Sequence, residues 1–368
     1  MAGFSFMRQA EAFLSSLPFI LLLAVFILPY PMSAAAKPRP AIAFVHLLLP
    51  PGGEPHASPA GWIGSLDRAR DTLESLRIPT IVSSASPGNA EDLNELSEMD
   101  PEVLITTSPL LYAAACDVAK RSPNTVFFAC TDETVHDNMS GFQARTYEAH
   151  YLAGLIAGAL SEDGVIGYLA NDPYQSKASR LRNANAFTLG AQKSKAAIRV
   201  LYAPGNDPDE ELKTLIAAGA DIVDLERALP SLVERLREHS VRYVGTAGRT
   251  VDPLCLAAPE WEWSNAFGDL LTQVRFGIWR PRNVSYGIKE GVVGLSPFGP
   301  AVPETVRVRV REAKEAIRNG ASPFEGPVRD VSGSLRIAEG SVPDDATLRG
   351  MDWRVQGLEP LPLTPDGL

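Results

Sequence analysis

From residue 41 the chain alternates two hydrophobic patterns. The first is a short run that is apolar at nearly every position: "AIAFVHLLL" (41–49), "PTIVSS", "EVLITTS" and "TVFFAC". The second is a longer segment in which apolar residues return every three or four positions: "GSLDRARDTLESL" (64–76), an acidic stretch around 90–98, and "LLYAAACDVAKRS". A continuously apolar run predicts a strand covered on both faces. Strands that alternate with amphipathic helices predict a parallel sheet between two helical layers.

The pattern then restarts. "TYEAHYLAGLIAGALS" (146–161) predicts a helix whose Ala153, Gly154, Ala157 and Gly158 permit close packing. After it come "GVIGYLA", "SRLRNANAFTLGAQK", "IRVLYA", "DPDEELKTLIAAG", "ADIVDL", "LPSLVERLREH" and "VRYVGTA", a second β/α series of similar size. "LCLAA", "WSNAFGDLLTQVRFGIW" and "VSYGIKEGVVGLS" exceed what the second sheet needs, and some of them are expected to return to the first. "ETVRVRVREAKEAIRNG" (304–320) predicts a charged helix stopped by Asn319-Gly320, and 321–368 reads as an extended wrap. The expectation is an α/β protein of two Rossmann-like lobes. Lobe 1 takes 41–145 with returning elements from about 250–300, lobe 2 takes 146–250, and 301–368 forms the C-terminal helix and tail. Such sheets place ligands in the crevice at the carboxyl ends of their strands.

The first forty residues differ. Arg8 precedes an apolar stretch from Leu17 to Leu28, and Ala34-Ala35-Ala36 fits a small-residue cleavage pattern. We read 1–36 as a secretory signal peptide, with an uncleaved anchor as the alternative; Pro18, Pro29 and Pro31 count against a clean spanning helix. No cysteine is near the cleavage point, so the expected location is periplasmic or secreted without a lipid-modified cysteine. Cys116, Cys130 and Cys255 are odd in number; buried free thiols are expected, with a Cys116–Cys130 disulfide as the other option.

The net charge of −10 argues against nucleic-acid binding, which needs a basic face. Among catalytic signatures, no P-loop, no GxGxxG after a strand and no GxSxG elbow occurs. The histidines His46, His56, His136, His150 and His239 are dispersed, with no metal-ligand spacing. We therefore expect no metal, no cofactor and no catalytic residue.

Several stretches together resemble the basic membrane protein family, the PnrA-like substrate-binding components of ABC transporters. They are "ARTYEAHYLAGLIAGALSEDGVIGYLA" (144–170), "NAFTLGAQ" (185–192), "DPDEELKTLIAAGADIV" (207–223), "YGIKEGVVGLSPFGPAVPETV" (286–306), "GASPFEGPVRDVSG" (320–333) and "LRGMDWRVQGLE" (348–359). The resemblance implies a type I periplasmic-binding-protein fold: two lobes, three crossovers and a hinged cleft that closes on a solute. It implies a small-molecule ligand, with purine nucleosides the best-known class, and a membrane permease and ATPase as partners. A monomer is expected. A ligand-presenting sensor and a nucleoside-processing enzyme are the alternatives.

Within that resemblance the ligand positions are only partly kept. Trp62, Asp67 and Arg70 match the later positions of the family's first loop, but "PGGEPHASPAG" replaces its polar start and Leu66 stands where a His is usual. Asn206 replaces the stacking ring of the second lobe, and Ala113 replaces an acid that reads the purine edge. Glu226 and Arg227 occupy the polar loop after "GADIV". Glu262 and Trp263 crowd the crossover, and Lys289 matches the lysine that contacts the ribose. The expected ligand set is Trp62, Asp67, Asn206, Glu226, Glu262, Trp263 and Lys289, for a solute that is nucleoside-like at best.

Overall fold

A computed structural model describes residues 40–48, 61–131, 136–173, 175–245 and 252–362. The expected signal peptide lies outside the described residues, as does "PPGGEPHASPA" before the first helix.

The first β/α series runs β1 (Ile42–Leu47), α1 (Gly61–Ser75), β2 (Thr80–Ala85), α2 (Glu91–Ser97), β3 (Val103–Thr106), α3 (Tyr112–Ala119), β4 (Val126–Cys130) and β5 (Met139–Ala144). The second runs α4 (Thr146–Leu160), β6 (Val165–Leu169), α5 (Lys177–Ser194), β7 (Arg199–Ala203), α6 (Pro208–Ala217), β8 (Ile222–Leu225), α7 (Pro230–Glu238), β9 (Arg242–Gly245) and β10 (Cys255–Ala257). The remainder is β11 (Pro259–Trp261), α8 (Ser264–Arg275), β12 (Val284–Tyr286), β13 (Val293–Leu295), α9 (Glu304–Arg318), β14 (Val328–Arg329), β15 (Leu335–Ile337), α10 (Asp345–Arg349) and β16 (Leu358–Pro360).

Two six-stranded sheets result, ordered β12-β5-β4-β3-β1-β2 and β10-β9-β8-β6-β7-β16. Every strand pair within them is parallel. In β1 the side chains alternate: Ile42 and Phe44 join the core under α1 and α8, while Ala43, Val45 and Leu47 join the core under α2 and α3. Both faces are buried, which is why the strand reads as unbroken apolar sequence.

The chain passes between the sheets at 144–146, at 257–264 and beyond 286, and the last two passages pair as the antiparallel ribbon β11–β13. β12 joins the first sheet beside β5. The tail departs from a simple wrap: β16 pairs in parallel with β7 and covers what would otherwise be a sheet edge. Asn185 helps hold it there, donating to the Trp353 carbonyl at 2.8 Å and accepting from the Val355 N–H at 2.9 Å.

α4 and α5 touch backbone to backbone. A Cβ on Gly154 would stand 2.1 Å from the Phe187 carbonyl oxygen, and one on Gly158 would stand 2.2 Å from that of Ala191. The small residues of α4 are thus fixed by proximity. Cys116, Cys130 and Cys255 form no disulfide.

Candidate functional site

At the carboxyl end of β1, His46 is buried on the α1 side of the sheet. Its Nδ1 lies 3.2 Å from the Thr107 hydroxyl and its Nε2 lies 3.2 Å from Asp67. Asp67 is half-buried and also stands 3.8 Å from the Arg70 Nε. Trp62 opens α1 beside them; its indole N–H donates to the Thr107 carbonyl at 2.7 Å. That bond ties the first turn of α1 to the end of β3 and fixes the ring's angle.

Trp62 is half-buried among other rings. It meets Trp263 edge-on at 5.2 Å and Trp261 edge-on at 6.1 Å, and it stacks on Phe142 at 6.4 Å. Trp263 is fully buried, stacked on Phe267 at 5.5 Å, so its ring is part of the lobe 1 core and presents no face to a cleft. Trp263 was expected in the ligand set; in this structure α8 starts at Ser264, and packing its first turn on the sheet draws Trp263 inward. The indole N–H groups of Trp261 and Trp263 are buried without an acceptor among the described residues. Between them Glu262 points to solvent and accepts from the Ser264 N–H, the first amide of α8, at 3.0 Å.

Lobe 2 contributes a buried polar cluster at the end of β8. Glu226 accepts from the Tyr168 hydroxyl at 2.8 Å and from Asn183 Nδ2 at 3.3 Å. Asp224, wholly buried, pairs with His150 Nδ1 at 3.1 Å. Burial pushes the Glu226 carboxyl up to about 7, helped by Asp172 and Asp224 and opposed by His150 and the Tyr168 hydroxyl. Burial alone would lower the His150 imidazole, but Asp224 beside it outweighs this, so its pKa is raised. Asn171 holds the chain after β8: its side chain donates to the Arg227 carbonyl at 2.8 Å and accepts from the Arg227 N–H at 2.9 Å.

The other predicted residues are more open. Asn206 is exposed beyond β7, with its backbone N–H on Glu211 at 3.1 Å. Lys289 is exposed in the turn between β12 and β13. A cavity of about 690 Å³ lies between the start of α1, the β11–β13 ribbon and α9, lined by Gly61, Arg68, Glu260, Glu262, Gly294 and Lys314. Of the seven predicted residues, Glu262 is the one on its wall. The structure therefore groups Trp62, Asp67, Glu262 and Trp263 around the lobe 1 crossover, and leaves Glu226 and Asn206 on lobe 2. Residues 49–60, 132–135 and 246–251, which follow β1, β4 and β9, lie outside the described residues.

His46, Thr107, His150, Tyr168, Asn183 and Asp224 were not predicted. The available signal was polarity in the wrong place: His46 interrupts "AIAFVHLLL" and Asp224 interrupts "ADIVDL", where a strand buried on both faces offers no solvent.

Two parallel sheets joined by crossovers at a shared ribbon define the type I periplasmic-binding-protein architecture. Solved solute-binding proteins of ABC transporters share it. One from Conexibacter woesei superposes with a TM-score of 0.60 at 17% identity over 76% of this chain and 97% of that one. Another from Aeropyrum pernix gives 0.59 at 16% identity over 84% and 95%. Residues 66–217 match the Bmp family model, described as ABC transporter substrate-binding protein PnrA-like. A purine-binding protein of Brucella abortus is 28% identical over 89% of this chain and 95% of its own length. A Haloferax volcanii protein named for ABC-transporter glucose binding is 28% identical over 77% and 78%. The chain thus has the fold of ABC-transporter solute-binding proteins, and residues 66–217 match the PnrA-like domain found among them. Proteins of this kind bind substrates for transport, act with membrane ABC components and typically work outside the cytoplasm.

Proposed function

We propose that the protein captures one flat, polar solute in the interlobe cleft and delivers it, as a periplasmic monomer, to its permease and ATPase. The solute is not a purine nucleoside. The observation that carries this reading is the Trp62 ring, half-buried at the carboxyl end of β1 and held in place by its bond to Thr107. A fixed aromatic face at that end of a parallel sheet suits stacking by a planar ligand.

The polar groups that would complete a nucleoside site are altered. Ala113 is exposed where an acid would read the purine edge, and Asn206 offers no ring. Lobe 2 instead supplies Glu226, whose carboxyl suits a solute with N–H or O–H donors. A site that lacks the partners of a base edge loses several kcal/mol toward that base. Isothermal titration against purine nucleosides, bases and sugars tests this. Affinities weaker than micromolar are expected for inosine and adenosine; submicromolar binding of either would overturn the reading.

A further inference from the structure

The three most exposed large hydrophobic side chains among the described residues are Phe276 (76%), Leu76 (66%) and Ile278 (64%). They are far apart in sequence, but each follows a helix packed on the same face of the lobe 1 sheet. α1 and α8 pack side by side on the same face of the lobe 1 sheet, both starting at the cleft, where Trp62 and Trp263 meet. Both therefore end at the opposite pole, by the amino ends of the strands. Leu76 follows the last turn of α1. Phe276 follows that of α8, and a left-handed Gly277 (φ 67°) turns the chain so that Ile278 is also exposed. Arg275 reaches Glu102, just before β3, and the Arg282 N–H reaches the Ser140 hydroxyl in β5, which fixes this end of α8 at the amino ends of β3 and β5.

Three guanidinium groups flank these apolar side chains in sequence, and the carboxylates of Glu74 and Glu102 at this end pair with Arg70 and Arg275. Arg77, Arg280 and Arg282 are exposed, and no carboxylate pairs with them among the described residues. Arg275 is engaged with Glu102 at 2.8 Å. From residue 270 to residue 289 the sequence has no acidic residue, although the whole chain carries −10. Exposed aromatic and aliphatic side chains ringed by guanidinium groups match the boundary of an anionic bilayer, where apolar groups enter the acyl region and arginines meet phosphate.

We propose that this pole of lobe 1, formed by Leu76, Arg77, Phe276, Ile278, Arg280 and Arg282, is a reversible contact for an anionic phospholipid surface. It is separate from the solute site, at the other end of the strands. Adsorption keeps the protein at the membrane while it searches in two dimensions for its permease. Its strength has to be modest, because transfer of solute needs the cleft end free to turn toward the permease.

Hydrogen exchange of the full-length chain, with vesicles of phosphatidylcholine alone and of phosphatidylcholine with phosphatidylglycerol, tests this locally. Amides of 275–280 and 76–77 are expected to slow at least fivefold with the anionic vesicles and to be unaffected by the neutral ones. Neutralising Arg280 or Arg282 (R280Q, R282Q) is expected to weaken anionic-vesicle partitioning about fivefold each. The double variant Phe276→Ser/Ile278→Ser is expected to lose the protection while solute affinity stays unchanged, which shows that it still folds. Absence of protection with anionic vesicles overturns the proposal. So does equal protection with neutral vesicles, or protection without any vesicle, which would assign the patch to a second copy of the chain.

Discussion

Trp62 is both tethered and half-buried: its N–H is spent on Thr107, and Phe142 stacks on its ring. In the proposed function its contribution to binding is a preorganised face. Replacing it with Ala is expected to weaken solute binding about fivefold to tenfold, with little change in the fold, as titration calorimetry and circular dichroism would show. Glu226 makes a prediction in pH. Its carboxyl titrates at about 7 in the fold against 4.5 ordinarily. A raised carboxyl pKa stabilises the fold below about pH 4.5, and that contribution is lost as pH rises through about 7. Glu226→Gln keeps the shape without the charge. Relative to wild type, its unfolding free energy is expected to rise by up to about 3 kcal/mol between pH 4.5 and 8, read from urea curves. An offset that does not change with pH would show that Glu226 is not held near neutrality. At this scale the sequence was least legible. A composition that reads as buried strand says nothing of which buried polar groups meet, and His150 with Asp224 is separated by 74 positions.

At the scale of elements the hydrophobic period was a good guide, for a physical reason: strands buried on both faces and helices buried on one have distinct repeats. β1, α1, α4 and α9 fall within a few residues of where the pattern places them. The small residues of α4 were legible as a packing surface, and Gly158 is predicted to be unreplaceable there. Gly158→Val is expected to lower stability by about 2 kcal/mol or more, because a branched side chain must push Ala191 away. β16 was illegible: three residues of Leu-Glu-Pro carry no strand signature, and only the uncovered edge of β7 recruits them. The burial of Trp263 was illegible in the same way, since sequence proximity to the crossover does not tell which way a ring turns.

For the whole molecule, the crossovers decide how the lobes are coupled. Arg145, between β5 and α4, donates to Glu148 at 2.9 Å, to Glu290 at 2.6 Å and to the Ser285 carbonyl at 3.1 Å, and lies 3.6 Å from Asp345. Glu148, itself buried, also accepts the Ile288 N–H at 2.6 Å. One guanidinium thus joins two of the three passages to the C-terminal segment. Arg145→Ala leaves Glu148 and Glu290 facing each other and is expected to cost about 3 kcal/mol of stability. It is also expected to change solute affinity with Trp62 and Glu226 untouched, since closure is a population shift between lobe arrangements. Denaturation and titration of the same variant separate the two effects. The measurement that bears most directly on the account is native mass spectrometry of the purified protein. One small solute per chain, released on denaturation, retained less by Trp62→Ala and distinct from any purine nucleoside, is the predicted result. Full occupancy by inosine, adenosine or guanosine, or a bound solute that the Trp62→Ala variant retains as well as wild type, would contradict it.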